Sequence, residues 1–299
     1  MNPPHPKQKP NRTSYSSLTK GGGWFGVWLG GSLWLYLGLI LLLVVADIWY
    51  VLANYNSSQG LSEILDWDNL KQSIQLTFIS STMSAILSVL IAVPVGYLLS
   101  RYRFLGKSMI DAILDIPVVL PPLVIGLSLL ILFNNFPPRI LDLGVGSLDE
   151  MLSEFGYRVT HTTLAIVIAQ FTVACAFAVR TMKVAFDQID PRSELVAMTM
   201  GASRGRAFFD VVLPQTYQGV VAAGMLAWAR SLGEFGPILV FAGATRGKTE
   251  VLSTSVYLEI NTGNLKGAVL ISLIMIALAI ITTITVRILT KKGSKDDLY

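Results

Sequence analysis

Long apolar stretches separated by short polar segments make up most of this chain of 299 residues. About 20 apolar residues in a helix cross the ~30 Å hydrocarbon core of a bilayer. Six stretches are close to this length or longer, at Leu33–Leu52, Ser73–Leu99, Met109–Phe133, His161–Val179, Gln215–Phe241 and Gly267–Leu289. The pattern predicts an all-α integral membrane protein with about six transmembrane helices, in one transmembrane domain over residues 24–290.

The two ends of the chain are polar. Residues 1–23 are rich in Pro, Ser and Lys, so we expect a disordered cytoplasmic tail. Residues 291–299 are lysine-rich and are expected to form a second cytoplasmic tail. A signal peptide is the competing interpretation of the N-terminal region. We reject it because the apolar run Trp24–Ala53 is too long for a signal core and lacks a small-residue cleavage site.

Composition narrows the class of protein. Hydrophobic residues make up 53% of the chain and charged residues only 14%, whereas soluble domains average about 25% charged residues. The one cysteine, Cys175, excludes an internal disulfide and a multi-cysteine metal site. The sequence shows no metal-ligand cluster and no nucleophile with a base in reach, so we expect neither a metal site nor catalysis.

Lys and Arg are distributed unevenly between the polar segments. Sixteen lie on the side of the first tail and six on the opposite side. Positively charged loops remain in the cytoplasm, so both termini are expected inside. This orientation accounts for the net charge of +4. The charge therefore indicates orientation in the membrane, and we expect membrane lipid, and not nucleic acid, among the partners of the chain.

The long polar interruption in the second half of the chain is Asp190–Pro214. It combines a short amphipathic helix pattern, with Pro191 in the first turn, a break at Gly201–Ser203 and a Leu213-Pro214 stop. A segment of this polarity does not cross a bilayer. The pattern predicts a helix–turn–helix at the membrane surface that docks into a soluble partner.

This segment resembles the cytoplasmic EAA loop of ABC-importer permease subunits. The Gly201 and Leu213-Pro214 landmarks match, but the acid, Glu194, comes one residue early. A second segment, ARSLGEFGPILVFAG over residues 229–243, is similar to the Gly-Glu-Phe/Tyr-Gly segment of molybdate, tungstate and sulfate permeases. Together the resemblance covers roughly residues 70–287.

The resemblance implies a type I ABC-importer-like transmembrane domain that acts as a homodimer in a bacterial or archaeal plasma (inner) membrane. Two cytoplasmic ATPase subunits would hold ATP and grip the coupling loop, residues 183–214. An extracytoplasmic substrate-binding protein would deliver the cargo, and the chain itself would bind no cofactor. The implied cargo is a tetrahedral oxyanion, molybdate or tungstate, with sulfate or thiosulfate as the alternative. The residues expected to contact the ATPase are Glu194, Ala197, Gly201, Ala202, Ser203 and Arg204.

Helix-breaking residues occur in two of the predicted spans. The third contains Pro117, Pro121 and Pro122, and a proline removes a backbone donor and clashes with the preceding turn. A broken helix persists at membrane depth only where protein or a wet cavity covers the freed carbonyls. Residues 116–126 therefore either line the translocation pathway or form a structural kink, and the sequence leaves both open.

The fifth predicted span places Arg230 and Glu234 one helical turn apart, deep in the bilayer and on the same helix face. Gly233 and Gly236, on either side of Glu234 and Phe235, are expected to break this helix. The free amide groups of a broken helix can face an anion. We favour a translocation gate at these positions; the alternative is an intramembrane salt bridge that only fixes helix packing.

Two other classes of protein are weaker interpretations. A membrane enzyme lacks candidate catalytic residues. An ion-coupled secondary carrier also contains broken helices, but it has no use for a cytoplasmic docking segment such as Asp190–Pro214. The segment Ala242–Thr249 lacks the spacing of a phosphate-binding loop, so no nucleotide is expected there.

Overall fold

The computed structural model describes residues 23–54, 66–135, 147–154, 156 and 158–296. Within these ranges every regular element is helical, in agreement with the predicted all-α class. The predicted N-terminal tail lies outside the described residues except for Gly23, and so do residues 297–299. The chain separates into two compact units, Met1–Tyr55 and Asn56–Tyr299, which are described in turn.

Helix α1, Gly23–Ala53, is the described element of the first unit. Its 31 residues are mostly apolar, with Asp47 as the charged one, and it has no acid in the first turn and no base in the last. A helix of this length extends about 46 Å, more than the hydrocarbon core requires. The tryptophans Trp24, Trp28 and Trp49 lie near its two ends, where interfacial aromatic residues are expected. The predicted first span, Leu33–Leu52, falls within it.

The second unit contains the remaining helices. In chain order the described ones are α2 (Trp67–Arg101), α3 (Lys107–Val119), α4 (Pro122–Asn135), α5 (Leu148–Glu154), α6 (Thr163–Asp187), α7 (Pro191–Thr199), α8 (Arg204–Ala207), α9 (Leu213–Gln215), α10 (Tyr217–Leu232), α11 (Leu252–Asn261) and α12 (Leu265–Asp296). Two π-helical turns, Phe208–Val212 and Ile238–Ala242, precede α9 and follow α10. Helix α12 includes residues 291–296, which the sequence assigned to a tail.

Several of these helices are suited to a membrane. Four helical segments are long and apolar enough to cross it: Gly26–Ala53, Trp67–Arg101, Thr163–Asp187 and Leu265–Ile284. Helices α3 and α4, bent by 110° where they join, form a fifth candidate together. The predicted span Gln215–Phe241 is not one helix, because α10 ends at Leu232 after 16 residues. The protein is a multi-pass membrane protein in which two of the six predicted spans are interrupted.

Helices α2, α6 and α10 pack against one another and form much of the core of the second unit. Small buried side chains line the contact, including Ala92 of α2, Ala174 of α6 and Ala223 of α10. A Cβ atom at Gly96 of α2 would lie 2.7 Å from the Cβ atom of Met182 on α6. Such close approach of backbones through small residues is a common basis of helix association in membranes.

A row of buried hydroxyl side chains follows one face of α2. All of its members are at most 2% exposed: Ser73, Thr77, Ser80, Ser81, Ser84 and Ser88. The Ser84 hydroxyl lies 2.9 Å from the hydroxyl of Ser231 on α10. The Thr77 hydroxyl accepts a hydrogen bond of 2.9 Å from the backbone N–H of Leu252, where α11 begins. Helix α2 is therefore joined to its neighbours by hydrogen bonds as well as by small-residue packing.

Candidate functional site

The coupling loop folds into short helices separated by a glycine turn, as the sequence predicted. Asp190 caps α7, since its carboxylate accepts a 2.9 Å hydrogen bond from the N–H of Arg192. Pro191 occupies the first turn, where a missing N–H is harmless. Gly201 has a φ of +94°, in the left-handed region that favours glycine. Ser203 then caps α8 through its hydroxyl.

Two predicted features of the loop differ in the structure. Residues 183–187 are still part of α6, which continues to Asp187 because nothing in this stretch breaks the helix. Leu213-Pro214 does not end a helix but opens α9, directly after a π-helical turn. The N–H of Leu213 bonds to the carbonyl of Phe208 in that turn. Pro214 is tolerated because the first turn of α9 needs no backbone donor at this position.

The loop exposes apolar side chains together with most of the predicted contact residues. Four large apolar side chains are more than half exposed: Leu195, Val196, Met200 and Phe209. Among the predicted contact residues Gly201, Ser203 and Arg204 are exposed, while Ala197 and Ala202 are half-buried. The loop therefore exposes both apolar and basic side chains.

Glu194, the displaced acid, differs from the other predicted contact residues because it points towards α2. Its carboxylate accepts a 2.5 Å hydrogen bond from the Tyr97 hydroxyl and lies 3.8 Å from Nε of Arg101. Its side chain is 13% exposed. The position of Glu194 therefore does not favour the predicted contact with an ATPase. The carboxylate instead joins the coupling loop to the membrane domain.

The interruption of the third predicted span lies at Pro121. Helix α3 continues through Pro117 and ends at Val119, so Pro117 does not break it. Pro121 stands between the helices, and Pro122 begins α4. The Pro121 carbonyl accepts a 2.9 Å hydrogen bond from the N–H of Val124, which starts the new helix. The predicted break is confirmed, and it is confined to one of the three prolines.

The interruption of the fifth predicted span is also confirmed. Helix α10 ends at Leu232, and Gly233–Phe235 has no helical structure. The helical backbone resumes at Gly236 and continues into the π-helical turn. The hydroxyl of Ser253 donates a 2.7 Å hydrogen bond to the free carbonyl of Glu234. Protein groups thus satisfy part of the backbone that the break leaves open, as a membrane environment requires.

The fold brings the two interruptions together at what we call the span junction, residues 120–126 and 233–240. A Cβ atom at Gly236 would lie 2.9 Å from the Cβ of Pro122. A Cβ atom at Gly126 would lie 2.8 Å from the Cα of Pro237. Two sets of residues that the sequence marked separately as gate candidates therefore form one structural unit.

Arg230 and Glu234 form the predicted ion pair, in which Glu234 belongs to the span junction and Arg230 lies one helical turn before it. Nη1 of Arg230 lies 2.8 Å from Oε2 of Glu234, whose side chain is only 2% exposed. The guanidinium also lies 5.8 Å from the centroid of the Phe177 ring on α6, within the range of a cation–π contact. The pair is present, and its role as a gate stays a prediction.

Gln170 of α6 is a buried polar residue of the site that the sequence analysis missed. Its side-chain amide donates a 3.0 Å hydrogen bond to the carbonyl of Ser231, two residues before the break, and lies 3.4 Å from the hydroxyl of Ser81. It is 1% exposed, and in the described part of the chain its Oε1 has no partner. An amide inside the apolar run His161–Val179 is the signal that could have identified it, because polar groups are rare at membrane depth.

Two further ion pairs connect α3 to α6. Lys183 lies 2.8 Å from Asp111, and Arg180 lies 2.5 Å from Asp115. These four side chains line a cleft of about 420 Å³. The sequence analysis began the coupling loop at residue 183, but in the structure both Arg180 and Lys183 belong to α6.

A helical membrane domain with two interrupted spans is typical of membrane-transport proteins. The chain belongs to the family of binding-protein-dependent transport system inner membrane components, which it matches over residues 89–295. This match confirms the resemblance predicted from the coupling loop. It also confirms that the chain is a transport component and not an enzyme.

The names of the matched relatives refer to different cargoes. The sulfate transport system permease protein CysT of Escherichia coli is 31% identical over 90% of this chain and 93% of its own. The molybdenum transport system permease protein ModB of the same organism is 33% identical over 71% of this chain and 89% of its own. The molybdate/tungstate transport system permease protein WtpB of Pyrococcus abyssi is 34% identical over 57% and 60%.

Solved structures agree on the fold. A chain of a bacterial alginate ABC transporter, in complex with an alginate pentasaccharide-bound periplasmic protein, superposes with a TM-score of 0.65 at 16% identity. The alignment covers 90% of this chain and 96% of that one. A chain of an inward-facing methionine ABC transporter gives a TM-score of 0.57 at 17% identity, covering 75% and 95%. The predicted type I importer architecture is confirmed.

Proposed function

We propose that this chain is the membrane-spanning permease subunit of an ATP-driven, binding-protein-dependent importer for a tetrahedral oxyanion, with molybdate or tungstate as the favoured cargo. The observation that carries the proposal is the coupling loop, which joins membrane helices and exposes apolar side chains. Family membership supports the same role. An ion-coupled carrier would have no use for such a loop.

The contact with the ATPase is assigned to the exposed side of the coupling loop. It is centred on four apolar side chains, Leu195, Val196, Met200 and Phe209. Exposed apolar patches of this kind mark interaction sites, and their burial drives association. Gly201, Ser203 and Arg204 lie in the same loop and complete the contact. ATP is held by the ATPase and not by this chain, in line with the absence of a phosphate-loop motif in the sequence.

The gate is assigned to the span junction. Helix α4 begins at Pro122 and the helical turn after the second break begins at Gly236, so two helix starts meet there. Helix N-termini carry a partial positive charge, which favours an anion. Pro122 and Pro237 add no N–H group at these two starts, so the attraction we propose is that of the helix dipoles. Glu234 neutralises Arg230 in the structure. A movement that separates the pair would offer the guanidinium to the passing anion.

The assembly we propose is a homodimer in a plasma (inner) membrane, with both termini in the cytoplasm. Two copies of the chain form the pathway, and each coupling loop receives one ATPase subunit. An extracytoplasmic binding protein delivers the anion on the opposite side. ATP binding draws the ATPases together and moves both loops, and the difference in contacts between the two states supplies the coupling.

Reconstitution tests the proposal. The chain is purified together with a partner ATPase and binding protein and inserted into liposomes. We expect anion uptake only when ATP, ATPase and loaded binding protein are all present. Uptake by liposomes that lack the ATPase would contradict the proposal and favour a carrier.

A sulfate or thiosulfate importer is the second candidate. One observation favours it: the sulfate relative aligns with 90% of this chain, against 71% for the molybdenum relative. The anions share charge and shape, so the choice rests mainly with the binding protein. Titration of that purified protein with molybdate, tungstate, sulfate and thiosulfate distinguishes the two candidates. The anion bound most tightly is then expected to compete best in the uptake assay.

A further inference from the structure

Tyr97, near the cytoplasmic end of α2, contacts three separate parts of the coupling loop. Its hydroxyl donates the 2.5 Å hydrogen bond to Glu194 of α7. Its ring meets the ring of Phe186, where α6 is about to end, with centroids 5.6 Å apart. It also meets the ring of Phe208, on the returning side of the loop, at 4.7 Å. The start, the middle and the end of the loop thus converge on one side chain.

The next turn of α2 adds two more connections. Nη2 of Arg101 donates a 2.9 Å hydrogen bond to the carbonyl of Ile189, between α6 and α7. The hydroxyl of Ser100 donates a 2.6 Å hydrogen bond to the carboxylate of Asp187, the last residue of α6. Charge-assisted hydrogen bonds of this type are stronger and more directional than contacts between apolar side chains. The loop is therefore held to the last turns of α2 by directed bonds.

The same helix contacts the gate region and the far side of the domain. The hydroxyl of Ser84 lies 2.9 Å from that of Ser231, just before the break in the fifth span. Nε2 of Gln72 donates a 3.0 Å hydrogen bond to the carbonyl of Gly247, in the segment that follows the second π-helical turn. Thirteen residues separate Ser84 from Tyr97, which corresponds to roughly 20 Å along a helix. Helix α2 therefore bonds to the coupling loop, to Ser231 just before the span junction, and to the segment around Gly247.

We propose that α2 carries the displacement of the coupling loop to the span junction, and that Tyr97 is the positioning residue that fixes the loop to it. This inference rests on the proposed function, because it assigns the route by which the ATPase acts on the gate. Helix α2 is a single element over Trp67–Arg101, with Pro94 inside it, and it bonds both to the coupling loop and to Ser231. The loop itself is broken at Gly201. Helix α2 is therefore the element through which a shift of the loop can reach the span junction. The hydroxyl of Tyr97 fixes the register between the two elements through Glu194.

The variant Tyr97→Phe tests the inference, because it removes the hydroxyl and keeps the ring packing. Tyr102→Phe is the matched control: Tyr102 is its neighbour in the aromatic cluster, with ring centroids 6.3 Å apart. The readout is the number of ATP molecules hydrolysed per anion imported by the reconstituted complex. We expect Tyr97→Phe to raise this ratio about 5-fold, a coupling change of the size seen for residues between linked sites. Tyr102→Phe should leave the ratio unchanged.

Two further readouts separate positioning from a purely structural role. Co-purification of the ATPase and the thermal midpoint of the complex should both match those of the wild type in Tyr97→Phe. Glu194→Gln keeps an acceptor for the tyrosine hydroxyl, so its ratio should be nearer the wild type than that of Glu194→Ala. An unchanged ratio of ATP hydrolysed to anion imported in Tyr97→Phe overturns the inference, whether or not the thermal midpoint of the complex is lowered.

A measurement on this chain alone keeps the inference testable if the importer itself is not active. Cys175 is the one cysteine of the chain. In a Cys175→Ser background, the substitutions Met200→Cys in the coupling loop and Leu90→Cys in α2 provide the two sites for spin labels. Both positions are well exposed. We expect Tyr97→Phe, but not Tyr102→Phe, to broaden the distribution of distances between the labels. An unchanged distance distribution in Tyr97→Phe contradicts the positioning role. If the wild type shows no uptake but Tyr97→Phe still broadens the distance distribution, only the proposed function is contradicted.

Discussion

Gly236 packs against Pro122 so closely that a Cβ atom at position 236 would lie 2.9 Å from the Cβ of the proline. Real Cβ atoms essentially never approach this near. The contact joins the start of α4 to the point where the helical backbone resumes after the second break. The two interruptions lie more than 100 residues apart in the chain. Each therefore depends on the geometry of the other.

Substitution of Gly236 by alanine is predicted to disrupt the span junction. The backbone of α4 lies in the way as well as the proline ring, because the added Cβ would also be 3.0 Å from the N atom of Leu123. Overpacking of this kind costs about 1–3 kcal/mol. We expect a lower thermal midpoint in detergent and a loss of most anion uptake.

Gly233→Ala is the matched control for Gly236→Ala. A Cβ atom at Gly233 would have its nearest neighbour, the carbonyl oxygen of Ala229, 4.0 Å away, and its φ of −89° is open to alanine. Both glycines flank the same break. Equal loss of stability in the two variants would show that the junction does not depend on the contact between Gly236 and Pro122.

The positions of both breaks could be predicted from the sequence, whereas their contact could not. Pro121 and Gly233 act on their own backbone, so the effect is local and visible in the order of residues. The proximity of Gly126 to Pro237 depends on how distant segments pack, which one sequence does not reveal. The same limit applies to Glu194. The sequence pattern of the coupling loop indicated an exposed residue at this position, because its partners Tyr97 and Arg101 lie more than 90 positions earlier in the chain.

Arg230 and Glu234 are predicted to have non-additive effects on the stability of the protein, because Glu234 is almost fully buried. Removing one partner of a buried pair leaves an uncompensated charge and costs about 3–5 kcal/mol. Arg230→Gln should therefore lower the thermal midpoint more than the double variant Arg230→Gln/Glu234→Gln. Thermal unfolding of the wild type, Arg230→Gln, Glu234→Gln and the double variant gives the interaction energy.

Uptake by the same variants separates the gate from a packing role. If the pair acts as a gate, the double variant regains stability but not anion uptake. Recovery of both stability and uptake would mean that the ions only fix the helices. We expect the first result, since the pair lies directly beside the break in the fifth span.

Gly201 is predicted to be required because of its backbone conformation, and not because a side chain at this position would clash with its neighbours. Its φ is +94°, and no heavy atom lies within 4 Å of a Cβ placed there. A β-branched residue in a left-handed conformation is strained by roughly 1–2 kcal/mol. Gly201→Val should therefore reduce ATP-driven uptake while leaving membrane insertion intact, as judged by the amount of protein in washed membranes.

Two variants support the interpretation of Gly201→Val. Gly201→Asn should retain most uptake, because asparagine tolerates the left-handed region. Gly205→Ala should be neutral or slightly stabilising, since Gly205 lies in α8 with open space around it and alanine is the better helix former. Loss of uptake in the alanine variant as well would point to a loop sensitive to any change, and not to a strained glycine position.

The orientation of the coupling loop is predicted to be cytoplasmic, because Lys and Arg are concentrated on that side. Single cysteines at Met200 and at Lys248, both exposed, can be placed in a Cys175→Ser background. A membrane-impermeant maleimide added to right-side-out vesicles should label the Lys248 position and spare the Met200 position. Inverted vesicles should give the opposite result. Labelling of the Met200 position from the outside would place the coupling loop where no ATP is available and remove the basis of the proposed importer.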